Sequence, residues 1–362
     1  MPLILIVLSA IYCTAVLAVL LILLKKQKGS TEDLKPFISV IIAARNEEKR
    51  IQPTLKNLLE LRYPKDKYEI ILVDDASGDR TADIIQQYVD TNSNWVLIRI
   101  SEKNNILKGK KNALIQAIAK ARGEIILATD ADCIVPGEWL SEMAAQFDEK
   151  TVMVLGHSLL LRQKGWLNRL LRFDNLFSAI LTAAPTLIGF PVTSVGRNLA
   201  YKKSSYHNSG GYERLSVYKS GDDVHLTELF RSKIKGKIKF CFSKQSFTLS
   251  KPPDTLKEIF QQQIRKNSKI LKKSAPTILF SLFLFIYHIL LIVFPFLYSS
   301  LQIWFLLLGA KLFCEFITLT VAAVKFSETS LIPAIPLMQI FYPVYVSFLG
   351  IIGLFQKYEW KK

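Results

Sequence analysis

The chain has 362 residues, which is enough for two or three structural units. Half of the residues are hydrophobic and the mean hydropathy is positive, which is unusual for a soluble globular domain and favours membrane spans. A net charge of +17 is typical of proteins that bind nucleic acid or an anionic membrane surface, and the apolar spans favour the membrane. The four cysteines are scattered and none has metal-ligand spacing, which predicts a reduced compartment rather than a disulfide framework.

The N-terminal segment, residues 1–28, is predicted to be a membrane anchor. Leu3–Leu24 carries no charge and is long enough to cross the hydrocarbon core of a bilayer. Lys25, Lys26 and Lys28 follow it, whereas a secretory signal has its positive charge before a shorter apolar core. The segment is therefore predicted to be uncleaved, with the N-terminus outside and the chain from Lys25 onward in the cytoplasm.

Between residues 37 and 155, short apolar runs alternate with segments of helical spacing. The apolar runs predict strands at Phe37–Ala44, Tyr68–Val73, Trp95–Ile100, Ile125–Ala128 and Val152–Leu155. The helical spacing predicts helices at Arg50–Leu61, Thr81–Val89, Lys108–Ala121 and Met143–Phe147, and Asp79 is positioned to cap the second of them. This alternation predicts an α/β fold with a doubly wound, mostly parallel sheet, whose ligands bind beyond the carboxyl ends of the strands.

Two carboxylates, Asp130 and Asp132, follow the apolar run Ile125–Ala128 directly. Side chains at i and i+2 of an extended segment point to the same side, so the two carboxylates are expected to face one crevice. They repel each other unless a cation or a hydrogen-bond donor lies between them. The pattern predicts a site for Mg²⁺ or Mn²⁺, and the alternative is a solvated acidic turn after a strand.

The region from 165 to 250 combines apolar helices with polar turns. Gly165–Gly189 predicts one or two amphipathic helices, which either pack on the sheet or lie at the membrane surface. Asp222 and Asp223 precede a predicted helix at Val224–Phe230, where they form either an N-cap pair or part of a catalytic site. Ile234–Phe242 alternates lysine with apolar residues and predicts an exposed strand with one basic face.

The last third of the chain is predicted to be membrane-associated. Pro252–Lys273 predicts an amphipathic helix whose basic cluster binds anionic lipid headgroups. Ile278–Leu297, Leu301–Val324 and Leu331–Leu354 follow as predicted spans, although three full spans leave the C-terminal lysines outside, against the positive-inside rule. The proline-rich third segment is therefore a full span or a re-entrant or interfacial one.

Lys311 and Glu315 stand four residues apart within the second of these spans. That spacing puts both on one face of a helix, so the two charges are predicted to pair with each other, with a role in acceptor binding as the alternative.

Seven segments of the chain, taken together and in this order, resemble the membrane-bound family 2 glycosyltransferases with a GT-A catalytic domain. They are SVIIAARNEE (39–48), ILVDDASGDRT (71–81), GKKNAL (109–114), ATDADC (128–133), GRNLAYKKSSY…GGY (196–212), GDDVHL (221–226) and QQQIRK (261–266). Single short motifs are weak, whereas the ordered set is specific and covers about 37–273 and the flanking spans.

The resemblance implies inverting transfer of a sugar from a nucleotide-diphospho-sugar, most often a UDP-sugar. It assigns Ala43, Arg45 and Glu47 to the nucleotide of the donor, and Asp74 and Asp75 to its base. It assigns Lys110, Gln262 and Arg265 to the surroundings of the donor. It assigns Asp130 and Asp132 to the D-x-D motif with Asp132 as the expected metal ligand, Asp223 to the catalytic base, and Asp222 to the preceding acidic position.

General chemistry supports these assignments, because a diphosphate leaving group needs a cation and an acceptor hydroxyl needs a carboxylate base. Asp130 and Asp132 are the candidates to bind the cation, and Asp223 is the candidate base.

Two positions depart from the family pattern. Ala43 replaces a frequent proline, and Lys266 replaces the tryptophan that follows Arg265 in processive polysaccharide synthases. The second change favours transfer of a single sugar to a membrane lipid or lipid-linked acceptor over a processive synthase.

The predicted organisation is an anchor at 1–28, a catalytic domain at 37–250, a basic interfacial helix at 251–275 and a transmembrane region at 276–362. The catalytic domain is placed on the cytoplasmic face of a plasma (inner) membrane. A transporter or scaffold with a degenerate nucleotide-binding domain is the alternative from another class. The anchored topology argues against a nucleic-acid binder.

Overall fold

The computed structural model describes residues 2–25, 35–101, 110–218, 221–253, 255–267, 275–297 and 301–355. Twelve helices are defined within these ranges: α1 Pro2–Leu24, α2 Ile51–Leu58, α3 Thr81–Val89, α4 Lys110–Lys120, α5 Trp139–Ala144, α6 Trp166–Leu187, α7 Lys203–Ser209, α8 Asp222–Lys233, α9 Leu256–Asn267, α10 Ala275–Leu297, α11 Leu301–Lys325 and α12 Ile335–Phe355. Ten strands accompany them in the same ranges: β1 Ile38–Ala44, β2 Tyr68–Asp75, β3 Trp95–Ile100, β4 Ile125–Asp130, β5 Cys133–Ile134, β6 Thr151–Leu155, β7 Ser158–Leu160, β8 Leu199–Lys202, β9 Lys237–Phe240 and β10 Thr248–Ser250.

These elements form two compact units. The sheet unit comprises Lys26–Gln163 and Phe177–Lys251. The apolar-helix unit comprises Met1–Lys25, Lys164–Leu176 and Pro252–Lys362.

The sheet unit is built on a seven-stranded mixed sheet in the order β3-β2-β1-β4-β8-β6-β9. The first four strands in this order are parallel to one another, and β8 runs antiparallel to both β4 and β6. The mostly parallel sheet predicted from the sequence is confirmed. Because β1, β2 and β4 are parallel, their carboxyl ends lie along one edge, which places the polar segments that follow them side by side.

Alternating side chains of β1 pack on opposite faces of the sheet. Val40 and Ile42 belong to a buried cluster that also contains Ile51 and Leu55 of α2 and Trp139 of α5. Of the intervening positions, Ser39 and Ile41 are equally buried and Ala43 is partly buried. Burial on both faces explains why these strands appear in the sequence as continuous apolar runs.

A small second sheet, in the order β5-β10-β7, lies in the same unit. Its strand β5 begins at Cys133, directly after Asp132, and pairs antiparallel with β10. The chain therefore leaves the acidic tip of β4 through a short, hydrogen-bonded strand, which restricts the conformations open to that tip.

Among its described residues, the apolar-helix unit contains four helices that are long and apolar enough to cross a membrane. They cover Pro2–Leu24, Thr277–Leu297, Leu301–Lys325 and Thr329–Phe348. Within this unit, Lys311 Nζ lies 2.8 Å from a carboxylate oxygen of Glu315, as the spacing of the two residues predicts. The proline-rich segment forms a 3₁₀ turn at Thr329–Ala334 followed by α12, which continues through Pro343.

Several predicted boundaries differ from the structure. The helix predicted at Met143–Phe147 begins at Trp139, and the strand predicted at Ile234–Phe242 is shortened to β9. Asp79 is not the N-cap residue of α3, which is Arg80, although Asp79 Oδ1 accepts the backbone N–H of Thr81 at 3.0 Å. Helix ends depend on tertiary packing, which spacing alone does not encode.

Candidate active site

The segments that follow β1 and β2 are hydrogen-bonded to each other at the carboxyl edge of the sheet. Asn46 N–H donates to Ser77 Oγ at 3.0 Å, and Gly78 N–H donates to Asn46 Oδ1 at 2.9 Å. Glu47 N–H donates to Thr81 Oγ1 at 2.8 Å. Asn46 holds a left-handed conformation with φ of 56°, which asparagine tolerates better than most residues. The predicted nucleotide residues of the two loops are thereby brought together.

Asp74 and Asp75 end strand β2, and each is only 5% exposed. Within the part of the chain that the structure describes, Asp74 Oδ1 accepts no hydrogen bond. Burial raises the pKa of the Asp75 carboxyl; the positive charge of Arg45 opposes that rise and the charge of Asp74 adds to it. Buried carboxylates with acceptor capacity to spare are suited to a ligand that presents N–H or O–H donors, as a nucleobase does.

Asp130 ends strand β4 and lies opposite Ala43 in the register of β1 and β4. Its carboxylate forms an ion pair with the ammonium of Lys110, the first residue of α4. Asp132 follows two residues later, and its Oδ1 lies 3.8 Å from Cys133 Sγ. Asp132 lies in the turn after β4 rather than in the strand, so the crevice shared by the two carboxylates stays a prediction.

The described residues contain no cluster of three or more His, Cys, Asp or Glu side chains that could hold a metal ion. Asp130 and Asp132 stay the predicted metal ligands, and together they would offer two carboxylates. That set fits Mg²⁺ or Mn²⁺ in the mode in which one or two carboxylates bind the ion and substrate phosphates complete its coordination.

Asp222 and Asp223 open helix α8, preceded by Gly221 in a left-handed conformation with φ of 85°. The Asp223 Oδ2 atom accepts the backbone N–H of Gly196 at 2.8 Å. A Cβ atom at residue 196 would approach Asp223 Cβ to 3.3 Å, so glycine permits the close approach that this hydrogen bond needs. Both aspartates belong to the first helical turn, where the helix dipole favours negative charge, and Gly221 is the N-cap.

Lys110 connects the two acidic groups of the site. Desolvation acts to lower the pKa of its ammonium, but the charges of Asp130, Asp222 and Asp223 outweigh this effect and raise that pKa to about 12. The same cation therefore lies within electrostatic reach of the carboxylate at the tip of β4 and of the pair at the start of α8. Lys110 thus pairs with Asp130 and is also influenced by the charges of Asp222 and Asp223.

The structure adds residues whose roles the sequence pattern did not reveal. Asn198, which is fully buried, donates from Nδ2 to the carbonyls of His157 and Ser246 and accepts the indole N–H of Trp139. Arg197 donates to Ser250 Oγ at 2.6 Å on the small sheet. Both belong to the GRN segment that contributed to the family resemblance, so the motif contained the signal although the partners lie 41 or more residues away.

Two predicted site residues belong to the other unit. Gln262 lies on α9 and is half-buried, and Arg265 is on the same helix with its side chain outside the described residues. Their assignment to the donor site stays a prediction.

The mostly parallel sheet, with acidic residues at the carboxyl ends of its parallel strands, agrees with the nucleotide-sugar-binding GT-A fold predicted from the sequence. The sequence model described as "Glycosyl transferase family 2" matches residues 39–206. Residues 39–206 therefore form a family 2 glycosyltransferase domain, and the resemblance inferred from the motifs is confirmed.

Relatives with assigned names share this domain. The chain is 30% identical over 201 residues, 53% of its length, to "Probable glycosyltransferase YdaM" of Bacillus subtilis. It is 34% identical over 128 residues, 35% of its length, to a beta-monoglucosyldiacylglycerol synthase of Trichormus variabilis. It is also 30% identical over 193 residues, 52% of its length, to a poly-beta-1,6-N-acetyl-D-glucosamine synthase of Staphylococcus aureus. The matched regions cover 46%, 26% and 45% of those proteins, respectively.

One solved structure resembles nearly the whole chain. The mannosyltransferase PcManGT from Pyrobaculum calidifontis, in complex with GDP-Man and Mn²⁺, has a TM-score of 0.58 and 20% sequence identity. The similarity covers 96% of this chain and 97% of that one. At this identity the comparison establishes the fold, and it confirms the GT-A architecture predicted from the sequence.

Proposed function

We propose that the protein is an inverting, metal-dependent glycosyltransferase that moves a single sugar from a nucleotide-diphospho-sugar to a lipid or lipid-linked acceptor. The observation that carries the proposal is the arrangement around Lys110. Its ammonium pairs with Asp130 at the tip of β4 and interacts with Asp222 and Asp223 at the start of α8. A donor-side carboxylate and a separate base are the minimum set for this reaction.

On the donor side, Asp74 and Asp75 are proposed to receive the nucleobase, with Ala43, Arg45 and Glu47 along the nucleotide. Asp132, assisted by Asp130, is proposed to hold Mg²⁺ or Mn²⁺. The ion, when bound, neutralises the negative charge that develops on the diphosphate leaving group. Lys110 supplies a further positive charge at the same edge of the sheet.

On the acceptor side, Asp223 is proposed to accept the proton of the acceptor hydroxyl as that oxygen attacks the anomeric carbon. Inversion requires the base to act on the face of the sugar opposite the leaving diphosphate. The hydrogen bond from Gly196 N–H to Asp223 Oδ2 orients the carboxylate and leaves Oδ1 to the acceptor. Asp222 supports the base from the neighbouring position.

A UDP-sugar is the proposed donor and a membrane lipid the proposed acceptor. The four apolar helices keep the chain in the membrane, where such an acceptor resides, and one relative is named a glucosyldiacylglycerol synthase. The proposed location is the plasma (inner) membrane with the sheet unit in the cytoplasm, and basic residues after Pro252 are proposed to bind anionic lipids.

A processive polysaccharide synthase is the second candidate, favoured by the similarity to the poly-N-acetylglucosamine synthase. Lys266 in the position of the family's tryptophan argues for single addition. A transporter is disfavoured because Lys311 and Glu315, buried among the apolar helices, pair with each other.

The test is a donor screen on the full-length protein in nanodiscs that contain extracted native lipids. We expect release of a nucleoside diphosphate from one class of donor, together with one sugar added to an extractable lipid, and loss of both with EDTA. Undiminished turnover in EDTA would contradict the metal assignment. Products of many lengths would favour the processive alternative.

A further inference from the structure

Lys111 is the second residue of α4 and the neighbour of Lys110, but its side chain has a different environment. It is only 9% exposed, and its Nζ atom donates to the carbonyl of Leu215 at 2.9 Å and to the carbonyl of Tyr218. The same atom lies 3.5 Å from Asp222 Oδ1. A buried ammonium is costly unless its donors are satisfied, so this set of partners is specific.

The partners of Lys111 lie on both sides of Gly221. Leu215 ends a 3₁₀ turn that begins at Tyr212, and Asp222 begins α8. The ring of Tyr218 stacks on that of His225, one turn into α8, with 3.8 Å between their centroids. Lys111 therefore fastens both the segment before Gly221 and the helix after it to the first turn of α4.

This attachment sets the position of the proposed base. Asp223 directly follows Asp222, and its carboxylate is held from the other side by Gly196 N–H. If the start of α8 is released from α4, the Asp223 carboxylate loses one of the two contacts that fix its distance from the donor-side carboxylate Asp130. Displacements of about 1 Å in such a geometry cost on the order of 10²-fold in rate.

We propose that Lys111 is a positioning residue for sugar transfer, which holds the Asp222–Asp223 turn at a fixed distance from the donor-binding edge of the sheet. The proposal rests on the proposed function. Consecutive lysines of one helical turn thus have separate roles, since Lys110 faces Asp130 and Lys111 faces Asp222. The partners of Lys111 are all protein groups, so its effect on transfer passes through Asp223.

The experiment compares Lys111→Met and Lys111→Arg with the wild type in nanodiscs, at saturating acceptor lipid. We expect Lys111→Met to lower kcat for transfer by about 10–100-fold while the donor KM changes by no more than about twofold. Lys111→Arg keeps the charge and the donors and is expected to recover a large part of kcat. A general loss of folded protein would instead lower the active fraction in both variants.

Lys239→Met is the matched control. Lys239 Nζ also donates to a backbone carbonyl, that of Gln146, and to a carboxylate, that of Asp148, at 2.8 and 2.9 Å, but on the edge strand β9. We expect wild-type kcat for this variant. Wild-type kcat in Lys111→Met, or equal losses in Lys111→Met and Lys239→Met, would overturn the positioning role.

A second measurement does not depend on turnover. Hydrogen–deuterium exchange of residues 221–227 is expected to accelerate in Lys111→Met and to remain unchanged in Lys239→Met. Unchanged exchange in Lys111→Met would contradict the attachment itself. An inactive wild type whose exchange responds as expected would contradict the proposed function and leave the attachment standing.

Discussion

Two buried carboxylates of the apolar-helix unit, Glu315 and Glu328, contrast with Asp74 and Asp75 of the sheet unit. In the apolar-helix unit, Glu315 accepts hydrogen bonds from Lys311, Tyr12 and Gln339, and nearby Arg172 pairs with Glu328. The charged groups of these residues are therefore paired with other groups of the protein. In the sheet unit, Asp74 Oδ1 accepts no hydrogen bond from the described residues, and burial raises the pKa values of the Asp75 and Asp222 carboxyls.

The difference distinguishes structural charges from functional ones. A buried ion whose partners are all protein groups fixes the association of helices and has little capacity left for a ligand. A buried carboxylate with spare acceptor capacity destabilises the folded state, and a bound ligand relieves that cost. By this criterion we place the proposed ligand site in the sheet unit, although both units contain buried lysine and carboxylate.

On the donor side, the largest expected effect on transfer is at the proposed metal ligand. Asp132→Asn removes one negative oxygen from the two-carboxylate set, and we expect transfer to fall by about 10²–10³-fold. Initial rates across a Mn²⁺ titration measure this change. Asp90→Asn, which alters an exposed carboxylate that accepts a hydrogen bond from Gln86 at 2.7 Å, serves as the control. A variant at position 132 with wild-type rate and metal dependence would contradict the assignment of Asp132 as a metal ligand.

The next effect concerns the charges of the apolar-helix unit. Glu315→Ala leaves Lys311 buried without its carboxylate, and we expect a loss of about 3–5 kcal/mol of stability, seen as a lower thermal midpoint in detergent. The double variant Lys311→Leu with Glu315→Leu is expected to recover much of that loss and to transfer sugar normally. If it is stable but inactive, the pair has a functional role and the distinction between the two units fails.

A smaller effect of opposite sign is expected at Asp75. Its folded-state pKa lies above the ordinary value of 3.8, so the folded protein binds the proton more tightly than the unfolded chain does. The free energy of unfolding therefore falls as pH rises through the interval between these two pKa values. At neutral pH, Asp75→Asn removes this penalty and is expected to raise the thermal midpoint.

The same variant is expected to raise the KM for the nucleotide-sugar, because an amide cannot replace the carboxylate as an acceptor on both oxygens. Thermal unfolding with and without UDP measures both effects. A variant that is less stable than the wild type, yet binds UDP equally well, would show that Asp75 is a structural residue.

Local patterns in the sequence were sufficient for the strands and for the acidic tips. The apolar run before Asp130 and the i, i+2 spacing to Asp132 are properties of one segment, and parallel strands align such segments at one edge. The antiparallel direction of β8 was not predictable in this way, because it depends on how the chain returns to the sheet after α6.

Long-range partners account for the rest of what the sequence could not reveal. Lys111 meets carbonyl groups 104 and 107 residues away, and Asn198 meets the Trp139 indole 59 residues away. Nothing in GKKNAL distinguishes the lysine that faces Asp130 from the one that faces Asp222. Only the direction of each side chain at the start of α4 assigns them to different partners.

The most direct test of the account uses Asp223→Asn, with donor binding and sugar transfer measured on the same preparation. The asparagine keeps the shape of the side chain and can still accept the Gly196 N–H, but it cannot take a proton. We predict wild-type affinity for the nucleotide-sugar by calorimetry in the presence of Mn²⁺, with transfer reduced by about 10²–10⁴-fold. Normal transfer by this variant would contradict the account, because the proton would then leave by another route.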